Sequence, residues 1–124
     1  MKSLIEAVIQ VESGGDVNAE GDKGLPEHAY GCMQIRQPVC TDVNAKYGTI
    51  LTPEQMLGWK YLSIAVFSLY MTIYANALAL GRPVTDEDRA RIWNGGPMAW
   101  KEGTPQYEAT TGYWNEVSGV MNAS

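Results

Sequence analysis

The chain has 124 residues, of which 45% are hydrophobic and 19% are charged, a composition typical of a globular protein rather than a disordered one. Nine Lys and Arg residues stand against 14 Asp and Glu residues, for a formal net charge of −5. No basic run is available to neutralise phosphates, which argues against a nucleic-acid partner. Because the length suits one sizeable core, we expect a single domain over residues 1–124.

The first third of the chain divides into a helix, an irregular segment and a second helix. Apolar residues recur at helical spacing over residues 2–12. The segment 13–36 is interrupted by glycines and contains a short extended stretch, so we expect a long loop or a small hairpin there. Pro38 begins a helix that runs to Tyr47, and Gly48 ends it.

The rest of the chain is predicted to be helical. Thr52 and Gln55 have the spacing of a capping box at the start of a further helix. Residues 61–80 are long and apolar enough to resemble a membrane span, but four polar residues interrupt them: Ser63, Ser68, Thr72 and Asn76. We therefore favour a buried central helix that ends at Gly81, and a membrane-associated helical protein remains the alternative.

Two more helices complete the expected mainly α fold. Thr85 and the three acidic residues after it predict a helix that reaches Gly95. The last helix is expected at about residues 109–121. The fold expected from the pattern is thus a set of helices around the central one, with a small hairpin region after the first helix.

The cysteines and the single histidine do not suggest a metal site. Cys32 and Cys40 lie eight positions apart, without the spacing of a metal motif. We expect two reduced, half-buried thiols, and a short-loop disulfide stays open. His28 is expected in an exposed loop. No secretory signal pattern precedes the first helix, so we expect synthesis in the cytoplasm, or a mature or excised form.

Glu12 is the strongest candidate for chemistry. It follows Val8 and Ile9 by four and three positions, so its carboxyl group should leave the helix over an apolar stripe. Partial burial there would raise its pKa and keep the acid protonated, as general acid catalysis requires. The alternative is a glutamate that extends into solvent at the end of a helix.

Three short motifs resemble those of a known superfamily. They are Glu12-Ser13, then residues 31–35 (GCMQI), then residues 92–96 (IWNGG). In this order they resemble the Glu-Ser, Gly-Leu-Met-Gln and Ala-Tyr-Asn motifs of goose-type lysozymes and soluble lytic transglycosylases. Cys32 replaces the usual Leu, and Ile92-Trp93 replaces Ala-Tyr.

The resemblance implies a lysozyme-like α+β fold that cleaves the β-1,4 glycan bond of peptidoglycan. Glu12 would then be the general acid, and Ser13 would orient its carboxyl group. Gln34, the backbone of Met33, and Asn94 would contact the sugar. For Gln34 and Asn94 the alternative is that their side-chain amides cap loops.

Aromatic residues are further candidates for sugar contact. Tyr30 precedes the second motif and would line a cleft, and Trp93 lies inside the third motif. For Trp93 and Met33, packing in the core is an equal alternative. Tyr107, Tyr113 and Trp114 could contact the sugar as well, although core packing of the last helix is favoured.

A catalytic role for Asp22 would distinguish between two possible reactions. An inverting hydrolase needs a second carboxylate about 6.5–9.5 Å from the acid, whereas a lytic transglycosylase uses one carboxyl group and leaves an anhydro product. Asp22 follows Glu12 by ten residues, a spacing similar to that in phage lysozymes, although Asp-Lys-Gly is also an ordinary turn. We favour a muramidase, with the transglycosylase as the alternative and a non-catalytic glycan-binding domain as a third.

The partners expected on this interpretation are peptidoglycan glycan strands. We expect a monomer without cofactor, metal or membrane insertion. The activity would be bacteriolytic, and release of a phage endolysin through a holin pore would explain the missing signal.

Overall fold

The computed structural model describes residues 1–123. The chain forms seven α-helices in this range, listed in order: α1 (Leu4–Ser13), α2 (Gln37–Tyr47), α3 (Lys60–Tyr74), α4 (Ala77–Leu80), α5 (Asp86–Gly95), α6 (Pro105–Ala109) and α7 (Thr111–Asn122). Two short strands, β1 (Glu20–Gly21) and β2 (Ala29–Tyr30), and a 3-10 helix (Pro53–Met56) complete the elements. The prediction of a mainly α fold with a small hairpin after the first helix is confirmed.

The chain separates into two compact units. The hairpin unit comprises residues 12–70, and the N–C unit comprises residues 1–11 together with the chain from Met71 onward. The hairpin unit holds both strands, α2 and the 3-10 helix, whereas α5, α6 and α7 belong to the N–C unit.

The hairpin unit is organised by a tight antiparallel pairing. Glu20 faces Tyr30 and Gly21 faces Ala29 across the two strands. The chain then turns back on itself, because Tyr30 and Ile35 exchange two backbone hydrogen bonds of 3.0 and 2.9 Å.

Helix α2 and the 3-10 helix have the ends that the sequence predicts. Gly48 adopts a left-handed conformation with φ of 70° and donates its N–H to the Asn44 carbonyl oxygen at 2.9 Å. The N–H of Thr52 donates to Oε1 of Gln55 at 2.9 Å. That capping box begins only a 3-10 turn, since α3 starts separately at Lys60.

In place of the single central helix predicted for residues 61–80, the structure has two helices, α3 and α4. The segment is buried along one face only. Asn76 ends the first and begins the second, because its side-chain N–H donates to the Thr72 and Ile73 carbonyls while its Oδ1 accepts from the Ala79 N–H. Tyr61 is 76% exposed and Leu78 is 95% exposed, so the segment is not apolar-packed all round. Within residues 1–123, no helix has the length and apolar character needed to cross a membrane.

The N–C unit is held together by a buried arginine. Arg91 on α5 donates to Glu87 on its own helix at 2.9 Å and to the Tyr107 carbonyl oxygen on α6 at 2.6 Å. It also donates to the hydroxyls of Thr110 and Thr111 at 3.2 Å each, and its guanidinium lies 3.7 Å from the centre of the Tyr107 ring. The three helices α5, α6 and α7 therefore share one polar anchor.

Candidate functional site

Glu12 and Ser13 form the end of α1, as predicted. Glu12 is half-buried. The Ser13 hydroxyl donates to the carbonyl oxygen of Cys32 at 2.9 Å and accepts from the Gly15 N–H at 3.2 Å. The Ser13 hydroxyl thus connects the end of α1 to the loop after β2, and its expected role beside the Glu12 carboxyl group stays a prediction.

Asp22 lies in the turn that follows β1. Its backbone is left-handed, with φ of 56°, and its carboxylate forms an ion pair with the guanidinium of Arg36. Arg36 also donates to the Glu27 carbonyl oxygen at 3.0 Å. The predicted second carboxylate therefore has a partner within the hairpin.

Gln34 and Met33 lie in the tight turn after β2. The Gln34 side chain donates to the carbonyl oxygens of Gly31 and Ala19 at 3.0 and 3.4 Å, which is the loop-capping arrangement that the sequence left open. The Met33 side chain is fully buried, in agreement with the core alternative.

The third motif lies in the N–C unit, near the end of α5. Trp93 is buried at 9% exposure, whereas Asn94 is exposed. The structure therefore brings Ser13 and the second motif together within the hairpin unit. Their roles in ligand contact stay predictions.

The hairpin carries a small acidic pocket that the sequence did not reveal, which we call the hairpin pocket. It has a volume of about 200 Å³. Its apolar walls are the rings of Pro26, Pro53 and Tyr30, and the side chains of Glu27 and Glu54 also line it.

His28 also lines the hairpin pocket and connects it to the strand pair. Its Nδ1 lies 2.7 Å from the Glu20 carboxylate, and its ring lies 6.1 Å from that of Tyr30. His28 therefore lies in the loop before β2, as expected, but it is half-buried and paired with Glu20 instead of exposed. Burial raises the pKa of Tyr30, and the negative charges of Glu20 and Glu54 raise it further.

A second pocket, of about 480 Å³, lies in the N–C unit. The carboxylate of Asp88 binds the Arg82 guanidinium at 2.7 and 2.8 Å there, and that guanidinium lies 5.5 Å from the Trp100 ring centre. Burial raises the pKa of Asp88, but hydrogen bonds from Arg82 and Thr85 outweigh that effect and hold it below its ordinary value. Tyr107 lines the same pocket.

The cysteines are free and buried, as expected for reduced thiols. Burial raises the pKa of Cys40 to about 11, and the charge of Glu54 adds to the effect. Burial also raises the pKa of Cys32. Within residues 1–123, no three His, Cys, Asp or Glu side chains come together in a way that would hold a metal ion.

Comparison with known proteins gives a likeness to a solved structure. No protein family model and no curated protein matches the chain. The chain is similar to a chain in the crystal structure of Aeromonas hydrophila PliI in complex with Meretrix lusoria lysozyme, with a TM-score of 0.73 and 26% sequence identity. The likeness covers 96% of this chain and 88% of that chain. That structure contains two different proteins, PliI and lysozyme, and the likeness is to one of its chains.

That likeness corrects the functional predictions made from the three motifs. The neighbouring structure is a complex of PliI with a lysozyme, and this finding does not support glycan cleavage by this chain. Membership of the goose-type lysozyme and lytic transglycosylase superfamily is withdrawn as an interpretation. The muramidase, transglycosylase and bacteriolytic endolysin predictions, and with them the glycosidase roles of Glu12 and Asp22, are not carried forward.

The hairpin pocket could not have been found from sequence spacing. Glu27 and Glu54 are 27 positions apart in the chain, and they line one pocket only after the strands pair and the 3-10 helix packs against β2. The one available signal was the eight-residue interval between Glu20 and His28, which fits two sides of a hairpin.

Proposed function

We propose that this chain acts by binding another protein, in a complex of the kind that PliI forms with lysozyme. The observation that carries the proposal is the likeness over 96% of the chain at a TM-score of 0.73. A protein interface of standard size takes about 800 Å² from each partner. The accessible surface of the chain is 6717 Å², so roughly an eighth of it would be covered.

Exposed apolar side chains in the hairpin unit support this proposal. Leu57, Trp59 and Tyr61 follow one another closely along the chain and are 39%, 57% and 76% exposed. Large aromatic side chains are enriched at protein interfaces and contribute most of the binding energy there. We call these three residues the apolar segment.

The first experiment is a calorimetric titration of the chain with each protein of the complex separately. We expect an equimolar complex with one of the two, and the protein that binds identifies the position that the chain takes. In the PliI position the chain binds lysozyme, and in the lysozyme position it binds PliI. Absence of heat and of complex with both proteins would overturn the proposal.

A second readout separates binding from catalysis. The release of soluble fragments from purified peptidoglycan by the lysozyme is measured with increasing amounts of the chain, and a chain in the PliI position should reduce it. The chain alone is measured at the same concentrations. Release of fragments by the chain alone would contradict a role in the PliI position, since a protein that only binds lysozyme leaves the peptidoglycan intact.

A pair of variants tests the apolar segment. Trp59→Ala should weaken the complex about tenfold or more, because it removes an exposed aromatic anchor. The matched control is Leu78→Ala, which truncates a side chain that is 95% exposed in the N–C unit. An equal effect of the two variants would mean that the apolar segment does not contact the partner.

A further inference from the structure

The hairpin pocket is concave, acidic at its sides and apolar at its walls. Two proline rings and the ring of Tyr30 form those walls. Prolines have a fixed backbone φ, and the backbone of Tyr30 is held by its pairing with Glu20 and Ile35. The backbone at these three residues is therefore restricted before any ligand arrives, which lowers the cost of binding.

Among the described residues that line the pocket there is no Lys or Arg, and its one histidine, His28, is paired with Glu20. Glu27 and Glu54 line it, and neither is engaged by a side-chain ion pair within residues 1–123. The nearby Arg36 is directed to Asp22 and to a backbone carbonyl. The negative potential is felt by Tyr30, whose pKa is raised by burial and then by Glu20 and Glu54.

Walls of this kind select an organic cation. A guanidinium or ammonium group is stabilised by carboxylates through charge-assisted hydrogen bonds and by the face of a tyrosine ring. The apolar stem of an arginine or lysine side chain packs well against prolines and aromatic rings. A bare metal ion is a poorer occupant, because within residues 1–123 no set of three ligating side chains converges.

From this geometry we infer that the hairpin pocket receives an arginine or lysine side chain of the partner protein. The inference rests on the proposed function, because it names the contact by which that partner is recognised. The overall charge of the chain, −5, also favours a basic surface on the partner through long-range attraction.

The first test uses n-butylguanidinium as the probe, with the neutral n-butylurea as its control. Nuclear magnetic resonance shifts of the Tyr30 and His28 rings are followed during titration of the whole chain. We expect saturable shifts with the cation and about tenfold weaker binding of the urea. Equal binding of the two compounds, or no saturation with the cation, would overturn the inference.

The second test uses Glu54→Gln, with Glu116→Gln on α7 as the matched control that removes the same charge from the N–C unit. Glu54→Gln should weaken both probe and partner about tenfold. Glu116→Gln should change either by less than about twofold, as expected of an exposed charge that does not line the pocket. Circular dichroism confirms that both variants are folded.

The outcomes distinguish the two proposals. If Glu54→Gln binds the partner as tightly as the unchanged chain does, the inference is overturned and the proposed function stands. If the unchanged chain binds neither PliI nor lysozyme, the proposed function is overturned and the inference falls with it, whatever the probe does.

Discussion

At the level of single residues, Asp88 is a buried carboxylate with several hydrogen-bond donors around it. It is 3% exposed at the start of α5, and it accepts two hydrogen bonds from Arg82 and two from Thr85, at 2.7 to 3.0 Å. These donors stabilise the charged form, which is why the pKa of Asp88 is lowered although burial alone would raise it.

The first prediction concerns Asp88→Asn. Above the ordinary Asp pKa of 3.8, this variant should unfold with a free energy about 1–2 kcal/mol lower, a figure kept below that of a fully buried pair because the Arg82 side chain is 45% exposed. The measurement is urea denaturation at a series of pH values.

The pH dependence gives this prediction its sign. Because the folded pKa is lowered, the stabilisation is present above pH 3.8 and is lost as the pH falls through the folded value. The difference between the two proteins should therefore shrink in acid, and a constant difference at all pH values would contradict it. Asp86→Asn, which breaks only the partly exposed pair with Arg89, should cost less than about 0.5 kcal/mol.

The second prediction concerns the thiols. Because burial raises the pKa of Cys40 from 9.0 to about 11, the folded chain should react with a thiol reagent at about pH 8 far more slowly than the unfolded chain. As the pH rises above 9.0 the unfolded thiol loses its proton first, so stability should fall. Equal labelling rates in the absence and presence of denaturant would show that this environment is not retained in solution.

The sequence predicted where polar side chains lie better than it predicted which groups they bind. The Gln34 amide was expected either to cap a loop or to bind a sugar, and the structure shows the cap. The pairing of Asp22 with Arg36 could not be predicted, since 14 positions separate them and only the folded hairpin brings them together.

At the level of elements, Gly31 is the point where the hairpin meets the 3-10 helix. Its φ is 79°, and a Cβ atom built there would lie 2.8 Å from the Met56 carbonyl oxygen and 2.9 Å from the Met56 Cβ. Backbone and side chain of a buried residue cannot both give way, so the residue must be glycine for two independent reasons.

The third prediction follows from that contact. Gly31→Ala should lower the free energy of unfolding by about 2–3 kcal/mol, because it adds a steric clash to an unfavourable backbone conformation. The matched control is Gly24→Ala in the loop between the two strands, where a Cβ atom meets nothing within 4 Å, and it should change stability by less than about 0.5 kcal/mol. Thermal denaturation of the two variants provides the measurement, and similar melting temperatures would contradict the prediction.

Local sequence signals predicted where helices begin and end, but they did not predict which helical side chains are buried. Gly48, Gly81 and Thr85 end or begin helices where expected, because capping depends on a few neighbouring residues. The segment 61–80 was misread as one helix, since its apolar composition outweighed the capping capacity of Asn76.

At the level of the whole molecule, the sequence predicts the fold better than it predicts the function. Helical periodicity and turn residues were sufficient for the mainly α fold with its hairpin. The three motifs led us to predict an enzyme. That prediction was wrong because short motifs carry no information on what the whole surface of a protein binds. The division into the hairpin unit (residues 12–70) and the N–C unit depends on long-range contacts, which the sequence pattern does not reveal.

The most direct test of the central claim is sedimentation velocity of the chain mixed in equal amounts with PliI and, separately, with lysozyme from the same two species. The account predicts that one mixture sediments as a single larger species of equimolar composition while the other remains two free components. If both mixtures sediment as their separate components, the chain does not act by binding as this complex does, and the account is contradicted.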